Sequence, residues 1–169
     1  MRYFISDTHF GHKNIIEYEN RPFASVEEMD EVLIANWNSV VTEDDLVYFL
    51  GDFGLCLKVR GCEVFKRLNG HKVAIIGNHD KRNVLEGIGF TIVLDEAWIK
   101  INGHQMRLIH IPPTWIEGQA HITLHGHVHG KQSFDIIEGR LNVSVEVIDY
   151  KPVSELIIGA KLDKWFSRK

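Results

Sequence analysis

Residues 73–81 read Val73-Ala74-Ile75-Ile76-Gly77-Asn78-His79-Asp80-Lys81. Four apolar, mostly β-branched residues are too few for an ordinary helix and read as a buried strand. Gly77 ends that strand by admitting a backbone geometry that a side chain would forbid. Three polar side chains, Asn78, His79 and Asp80, then stand at the strand's mouth. Taken alone, they fit equally well a Gly-Asn turn followed by a helix that Asp80 caps. The pattern recurs along the chain, and the recurrence decides the matter.

Upstream, Tyr3-Phe4-Ile5 forms a first strand that runs into Ser6-Asp7-Thr8-His9, and Leu46–Leu50 forms a second that ends in Gly51-Asp52. Between them lie a polar segment, Phe10 to Ser25, and a helix. Ser25 and Glu28 make a capping box, and Met29, Val32, Leu33, Trp37 and Val40 follow at helical spacing. A further helix is predicted over Gly61 to Leu68. Downstream, a short helix over Arg82 to Gly89 precedes a strand over Phe90 to Leu94. Asn102-Gly103 marks a hairpin between Ala97–Ile101 and Gln105–Ile109, and its second arm ends in His110. Ile122–Leu124 is another short strand, leading into His125-Gly126-His127-Val128-His129. A second hairpin is predicted between Phe134–Ile137 and Leu141–Ile148. Pro152 opens a C-terminal helix with Leu156, Ile157, Ala160 and Trp165 on one face. Helices alternate with strands early and hairpins dominate late. That order predicts an α/β fold, with a mixed sheet or two packed sheets and helices outside.

The 169 residues suit a single domain over the whole chain, residues 1–169, with enough sequence for a proper core. No apolar run approaches the ~20 residues of a membrane span. The first strand starts so near the N-terminus that a signal peptide has no room. Cys56 and Cys62 form no metal-type pair, and a reduced cytoplasmic setting suits them. A net charge of −4 disfavours long nucleic acid as a partner.

Five apolar runs end in metal-ligand side chains: Asp7 and His9, Asp52, Asn78, His110, then His127 and His129. Open α/β sheets gather ligands at the C-terminal ends of their strands. Seven oxygen and nitrogen ligands without a thiolate exceed the needs of one structural zinc. They suit two divalent transition ions ~3.5–4 Å apart, with a carboxylate between them. Manganese is expected first, with iron, zinc, nickel or cobalt as alternatives, because histidine-rich sites favour transition ions. In Asp-x-His and His-x-His, an extended backbone would point both side chains of a pair the same way.

In this order and setting, Asp7-x-His9, Gly51-Asp52, Gly77-Asn78-His79-Asp80, His110 and Gly126-His127-x-His129 resemble the calcineurin-like metallophosphoesterases. The opening Asp7–Ile16 and the ending Asp149–Ser154 resemble a small bacterial and phage branch of that family. The resemblance implies a metallophosphoesterase-type αββα sandwich of two mixed β-sheets flanked by helices. It implies one metal on Asp7, His9, Asp52 and His129, and another on Asp52, Asn78, His110 and His127, with Asp52 shared.

Two such cations would acidify water to hydroxide near neutral pH and neutralise phosphoryl oxygens. Asn78 would hydrogen-bond the substrate as charge develops. His79, with Asp80 orienting it, would protonate the leaving alkoxide. His12 and Arg21, in the loop after the first ligand pair, are candidates for substrate contact. Trp115 is a candidate base-stacking wall, and His125 is expected to pack behind the site. His71, His104 and His121 read as surface. The expected activity is hydrolysis of a small phosphate ester, with a phosphodiester of nucleotide or cyclic-nucleotide type ahead of a phosphomonoester. A non-catalytic binding module on the same fold is the rival, and turnover with added manganese separates the two.

Overall fold

The computed structural model describes residues 1–54, 60–114 and 121–168. Its first sheet has the order β4-β3-β2-β1-β9. Strands β1 (Arg2–Ile5), β2 (Leu46–Leu50), β3 (His71–Ile75) and β4 (Ile92–Leu94) run parallel, and β9 (Val153–Ser154) closes antiparallel on β1. The second sheet has the order β5-β6-β7-β8. Here β5 (Ala97–Ile101) pairs antiparallel with β6 (His104–Leu108), while β6, β7 (Ile122–His125) and β8 (Arg140–Asn142) run parallel. Both sheets are therefore mixed, and helices flank them, as the sandwich expected from the sequence requires.

Parallel strands covered on both faces read as continuous apolar runs. Accordingly Val47, Phe49, Leu50, Ala74 and Ile75 are all buried in one core with Leu108, Leu124 and Leu141 of the second sheet. Helix α2 (Val26–Asn38) adds Met29, Leu33 and Trp37 to that core. At its start the Glu28 N–H donates to Ser25 Oγ at 3.1 Å, while the Glu28 carboxylate accepts from the N–H of Ala24 at 2.7 Å. The return bond thus reaches one residue further back than a standard capping box. Helices α3 (Arg60–Arg67) and α4 (Arg82–Ile88) fall where the sequence places them, and a short helix α1 (Ile15–Tyr18) forms inside the polar segment.

Two expectations about the C-terminal third are corrected. The second hairpin does not form: β8 spans only Arg140–Asn142 and pairs parallel with β7, leaving a single antiparallel bridge between Ile137 and Arg140. The run beyond β8 leaves that sheet, and Ser144 bridges to Ser6 instead, with Ser6 N donating to Val143 O at 3.0 Å and Val145 N to Ser6 O at 3.2 Å. That bridge stitches the two sheets together. Next, α5 (Glu155–Phe166) begins after β9, not at Pro152, and buries Ile158, Gly159 and Leu162. Leu156 and Ile157 face outward, at 65% and 51% exposure. Helix α5 packs on β1, β9 and β5. His104, expected to be a bare surface residue, stacks on Phe166 and lies 3.2 Å from Asp163 of α5. Among the described residues no helix is long and apolar enough to cross a membrane.

Candidate metal centre

Every ligand group follows the C-terminal end of a parallel strand: Asp7 and His9 follow β1, Asp52 follows β2, Asn78 follows β3, His110 follows β6, and His127 and His129 follow β7. The local backbone is not the extended one expected. Asp7, His9, Asp52, His127 and His129 all have positive φ, at 58°, 52°, 60°, 71° and 49°. Left-handed backbone at non-glycine residues costs energy and persists where the surroundings impose it. Here Asp7 N donates to Gly51 O at 3.0 Å and His9 N to Asp52 O at 3.1 Å, so the loops after β1 and β2 are zipped together. The turns bring Asp7, His9, Asp52 and His129 together, while His127 stays exposed.

The side chains converge in two groups. Asp7, His9 and His129 can bring ligand atoms within 4.8 Å of one another, and so can Asp7, Asp52 and His110. Asp7 belongs to both groups, and Asp52 Oδ2 lies 3.8 Å from His9 Nε2 of the first and 3.4 Å from His110 Nε2 of its own. Asn78 Oδ1 lies 3.0 Å from His110 Nε2 and 2.8 Å from His127 Nδ1. The donor set is imidazole nitrogen and oxygen, which suits a divalent transition ion. His9 Nε2 is buried and has no hydrogen-bond partner although ligand atoms surround it, as a metal-binding nitrogen would be.

The electrostatics agree with a cation-binding role. Burial pushes the Asp7 carboxyl up from the ordinary range, against the pull of His110 and His129 and two serine hydroxyls. A cation would stabilise its charged form. Burial also acts to raise Asp52, but the His110 contact and the His79 N–H outweigh it and hold the carboxyl at about 2. Burial drives His9 down to about 3, keeping a neutral ligand nitrogen available. Burial disfavours charged His110 and His129 as well, yet nearby carboxylates more than compensate, and both are raised.

Gly77 has no left-handed backbone, so the reason given for it from sequence is revised. A Cβ there would overlap Asp52 Oδ1 and the Asp52 backbone, and one at Gly126 would overlap Asp7 Oδ2 and Ser6 Oγ. Both glycines are needed for close approach. Asp80 does not cap α4, whose N-cap is Lys81. Its carboxylate accepts from the N–H groups of Asp52 at 2.7 Å, Phe53 at 3.1 Å and Gly77 at 2.9 Å, fixing the two loops against each other. Among the described residues it makes no hydrogen bond to the His79 ring. His79 is solvent-exposed, its N–H donates to Asp52 Oδ1 at 2.9 Å, and its ring lies 5.9 Å from that of His9. His12 is half-buried, with its ring 5.6 Å from His9, so it borders the centre.

Arg21 is corrected: its side chain is 0% exposed and bonded to Glu146 and to backbone carbonyls, so it cannot reach a substrate. His125 is buried behind the site and burial lowers it to about 4, as expected of a packed histidine. Trp115 lies outside the described residues. Sequence reasoning missed Ser6, Ser144 and Glu146. The serine hydroxyls donate to Asp7 Oδ2 at 2.6 and 2.8 Å, and Glu146 Oε1 lies 3.0 Å from His129 Nδ1. The signal was present: Asn142, Ser144 and Glu146 alternate with Leu141, Val143, Val145 and Val147. That alternation puts one polar face on a run otherwise fit for the core.

Over 177 aligned residues the chain is 43% identical to the uncharacterized protein MJ1445 of Methanocaldococcus jannaschii, covering 96% of this chain and 91% of that protein. The chain belongs to the MJ1445 family. No family model matches this MJ1445-family protein. The crystal structure of AQ665 from Aquifex aeolicus, a protein of unknown function, is similar to it with a TM-score of 0.75 and 30% identity, covering 94% of this chain and 97% of that one. The gene 66 protein of Mycobacterium phage L5 is 38% identical over 81 residues, which is 46% of this chain and 39% of that protein. The likeness to AQ665 supports the fold over nearly the whole chain, and activity is left to be argued from the centre itself.

Proposed function

We propose that this protein is a dinuclear metal-dependent phosphoesterase that prefers a small phosphodiester of nucleotide type. The observation that carries this is a pair of adjoining ligand groups that share Asp7, with Asp52 Oδ2 within 3.8 Å of His9 and 3.4 Å of His110. Asp7, His9, Asp52 and His129 would hold one divalent ion, and Asp52, Asn78, His110 and His127 the other. Bound there, manganese or a similar ion would supply Lewis acidity toward phosphoryl oxygens and would acidify water. The remaining work falls to the protein's own groups. Asn78, an exposed residue, turns its oxygen to the two histidines, and its amide nitrogen would donate to a phosphoryl oxygen. Exposed His79 would give a proton to the leaving alkoxide. Asp80 serves by pinning the Gly77 and Asp52 loops.

The test is metal analysis of the purified protein, followed by turnover of a panel of phosphodiesters, cyclic nucleotides and phosphomonoesters with saturating manganese. Two equivalents of metal and measurable diester hydrolysis are expected. A folded protein that binds two ions and hydrolyses no ester of the panel would overturn the enzymatic assignment in favour of a binding module.

A further inference from the structure

Arg21 and Glu146 come from opposite ends of the sequence and meet inside the molecule. Arg21 follows α1, Glu146 follows β8, and their side chains are 0% and 7% exposed. Arg21 Nη2 and Nε donate to Glu146 Oε1 at 2.6 and 3.0 Å. The same guanidinium donates through Nη2 to the carbonyl of Asp7 at 2.7 Å and through Nη1 to that of Thr8 at 2.9 Å. Glu146 Oε1 in turn lies 3.0 Å from Nδ1 of His129. One buried ion pair therefore touches the loop that carries Asp7 and His9 from the first sheet and the ring of His129 from the second.

We propose that the Arg21–Glu146 pair is a cross-sheet clamp that positions one of the two metal sites, that of Asp7, His9 and His129, and leaves the other to form without it. This rests on the metal-centre assignment above but not on any hydrolytic activity. Two features give the clamp its effect. The carbonyls that Arg21 grips belong to the turn where Asp7 and His9 hold left-handed backbone, at φ 58° and 52°. Such a conformation needs outside support, and a planar guanidinium bonded to successive carbonyls supplies it. On the other side, Glu146 accepting the Nδ1 proton of His129 leaves Nε2 with its lone pair, aimed at the group and 3.9 Å from Asp7 Oδ1. Fixing the tautomer and ring angle of a ligand histidine by a carboxylate is worth a tenfold to hundredfold gain in metal affinity. Asp52, Asn78, His110 and His127 make no hydrogen bond to Arg21 or Glu146 among the described residues. The clamp therefore reaches their half of the centre only through Asp7, which also groups with Asp52 and His110, and its effect there should be small beside that on His9 and His129.

Arg21→Met with Glu146→Leu removes the pair without leaving a buried charge, and Glu146→Gln keeps an acceptor for His129 while removing the charge. Manganese binding to each metal-free protein would be followed by calorimetry and by the paramagnetic resonance of the bound ion. The wild type is expected to bind two equivalents. The double variant should bind one with wild-type affinity and the second about tenfold to hundredfold more weakly, with Glu146→Gln between the two. Equal weakening at both positions would show a merely structural pair, and unchanged binding would show no positioning role; either overturns the clamp. If the double variant does not fold, Glu146→Gln decides alone, by whether one position or both or neither weakens. A wild type that binds no manganese would instead sink the metal-centre assignment on which the clamp depends.

Discussion

Nε2 of His110 lies 3.4 Å from Oδ2 of Asp52, although the two residues sit at the ends of strands from different sheets. The contact joins the halves of the molecule and, with His9 at 3.8 Å on the other flank, puts Asp52 beside a ligand histidine of each of the two ion sites proposed above. Asp52→Ala should therefore remove more metal than any other single ligand change, leaving well under one equivalent after purification. Elemental analysis of the ligand variants side by side would show this. An Asp52→Ala protein still carrying two equivalents would rule out a shared role.

Gly77 offers a test that changes no ligand. A methyl group there would overlap Asp52 Oδ1, whereas one at Gly87 in α4 meets nothing within 4 Å. Gly77→Ala should displace the Asp52 carboxylate and weaken manganese binding by about tenfold or more. Gly87→Ala should leave binding alone and stabilise the fold by roughly 0.5–1 kcal/mol through better helix propensity. Calorimetric titration and thermal melting of the two variants would measure both effects. Equal manganese affinity in the two would mean that Gly77 is not there for clearance.

His79 stands in solvent beside the centre, with its N–H bonded to Asp52. His79→Ala should keep both ions yet lose about 10²–10⁴-fold in turnover of esters with alkoxide leaving groups, the usual contribution of a positioned acid. Nitrophenolate departs with little need of a proton, so the loss on nitrophenyl esters should be much smaller. Equal losses on both substrate types would dismiss His79 as the proton donor.

Away from the centre, Asp45 accepts from the Met1 ammonium at 2.6 Å and from Thr42 N and Oγ1 at 2.7 and 2.8 Å. Those bonds, the ammonium first, lower its carboxyl from 3.8 to about 2. The folded state thus holds this proton less readily than the unfolded chain. The stabilisation is full above about pH 4 and fades as pH falls toward about 2. Asp45→Asn should differ most from wild type at neutral pH and converge with it in acid. Urea denaturation of the metal-free proteins at neutral pH and at about pH 3 would follow the gap. A gap that widened in acid would contradict the assignment.

The strands that carry ligands were legible because each is a short apolar run stopped by glycine or a polar cluster, as in Leu46–Leu50 before Gly51-Asp52. Parallel strands with both faces covered announce themselves in this way. The stretch Leu141–Ile148 was misread for a physical reason. Its alternation satisfies a strand pattern, but Ser144 leaves β8 to bridge Ser6, and Glu146 turns inward to meet Arg21 and His129. Alternation reports which side chains share a face, not which strand will pair with them. Arg21 was misplaced similarly: a charged residue in a polar loop reads as solvent-facing, and its partner is 125 positions away. The left-handed turns at Asp7, His9, His127 and His129 carry no composition signal, since aspartate and histidine tolerate positive φ without requiring it.

Substrate charge yields the last prediction. A phosphomonoester dianion brings more negative charge than a diester, and the protein phosphatase branch of the resembling family meets it with added arginines. One precedes its Gly-Asn-His, where this chain has Ile76, and another sits in an Asp-Arg-Gly shortly after its Gly-Asp, where this chain continues Phe53-Gly54-Leu55. Arg21, Arg82 and Arg107 are the arginines to consider as replacements. In the structure each is engaged elsewhere: Arg21 with Glu146 at 2.6 Å, Arg82 with Asp95 at 3.3 Å and the Val93 carbonyl, and Arg107 with Glu96. The cations of the centre would then have to balance the substrate without help from arginine, which favours the singly charged diester. With saturating manganese and at one pH, kcat/KM for bis-nitrophenyl phosphate should exceed that for nitrophenyl phosphate by about tenfold or more, a difference of ~1.4 kcal/mol in transition-state stabilisation. The same comparison in Arg82→Ala and Arg107→Ala should be unchanged, since Arg82 is paired with Asp95 and Arg107 with Glu96. A wild-type preference for the monoester, or its loss in one of these variants, would show that an arginine does reach the site, while leaving the metal centre as described.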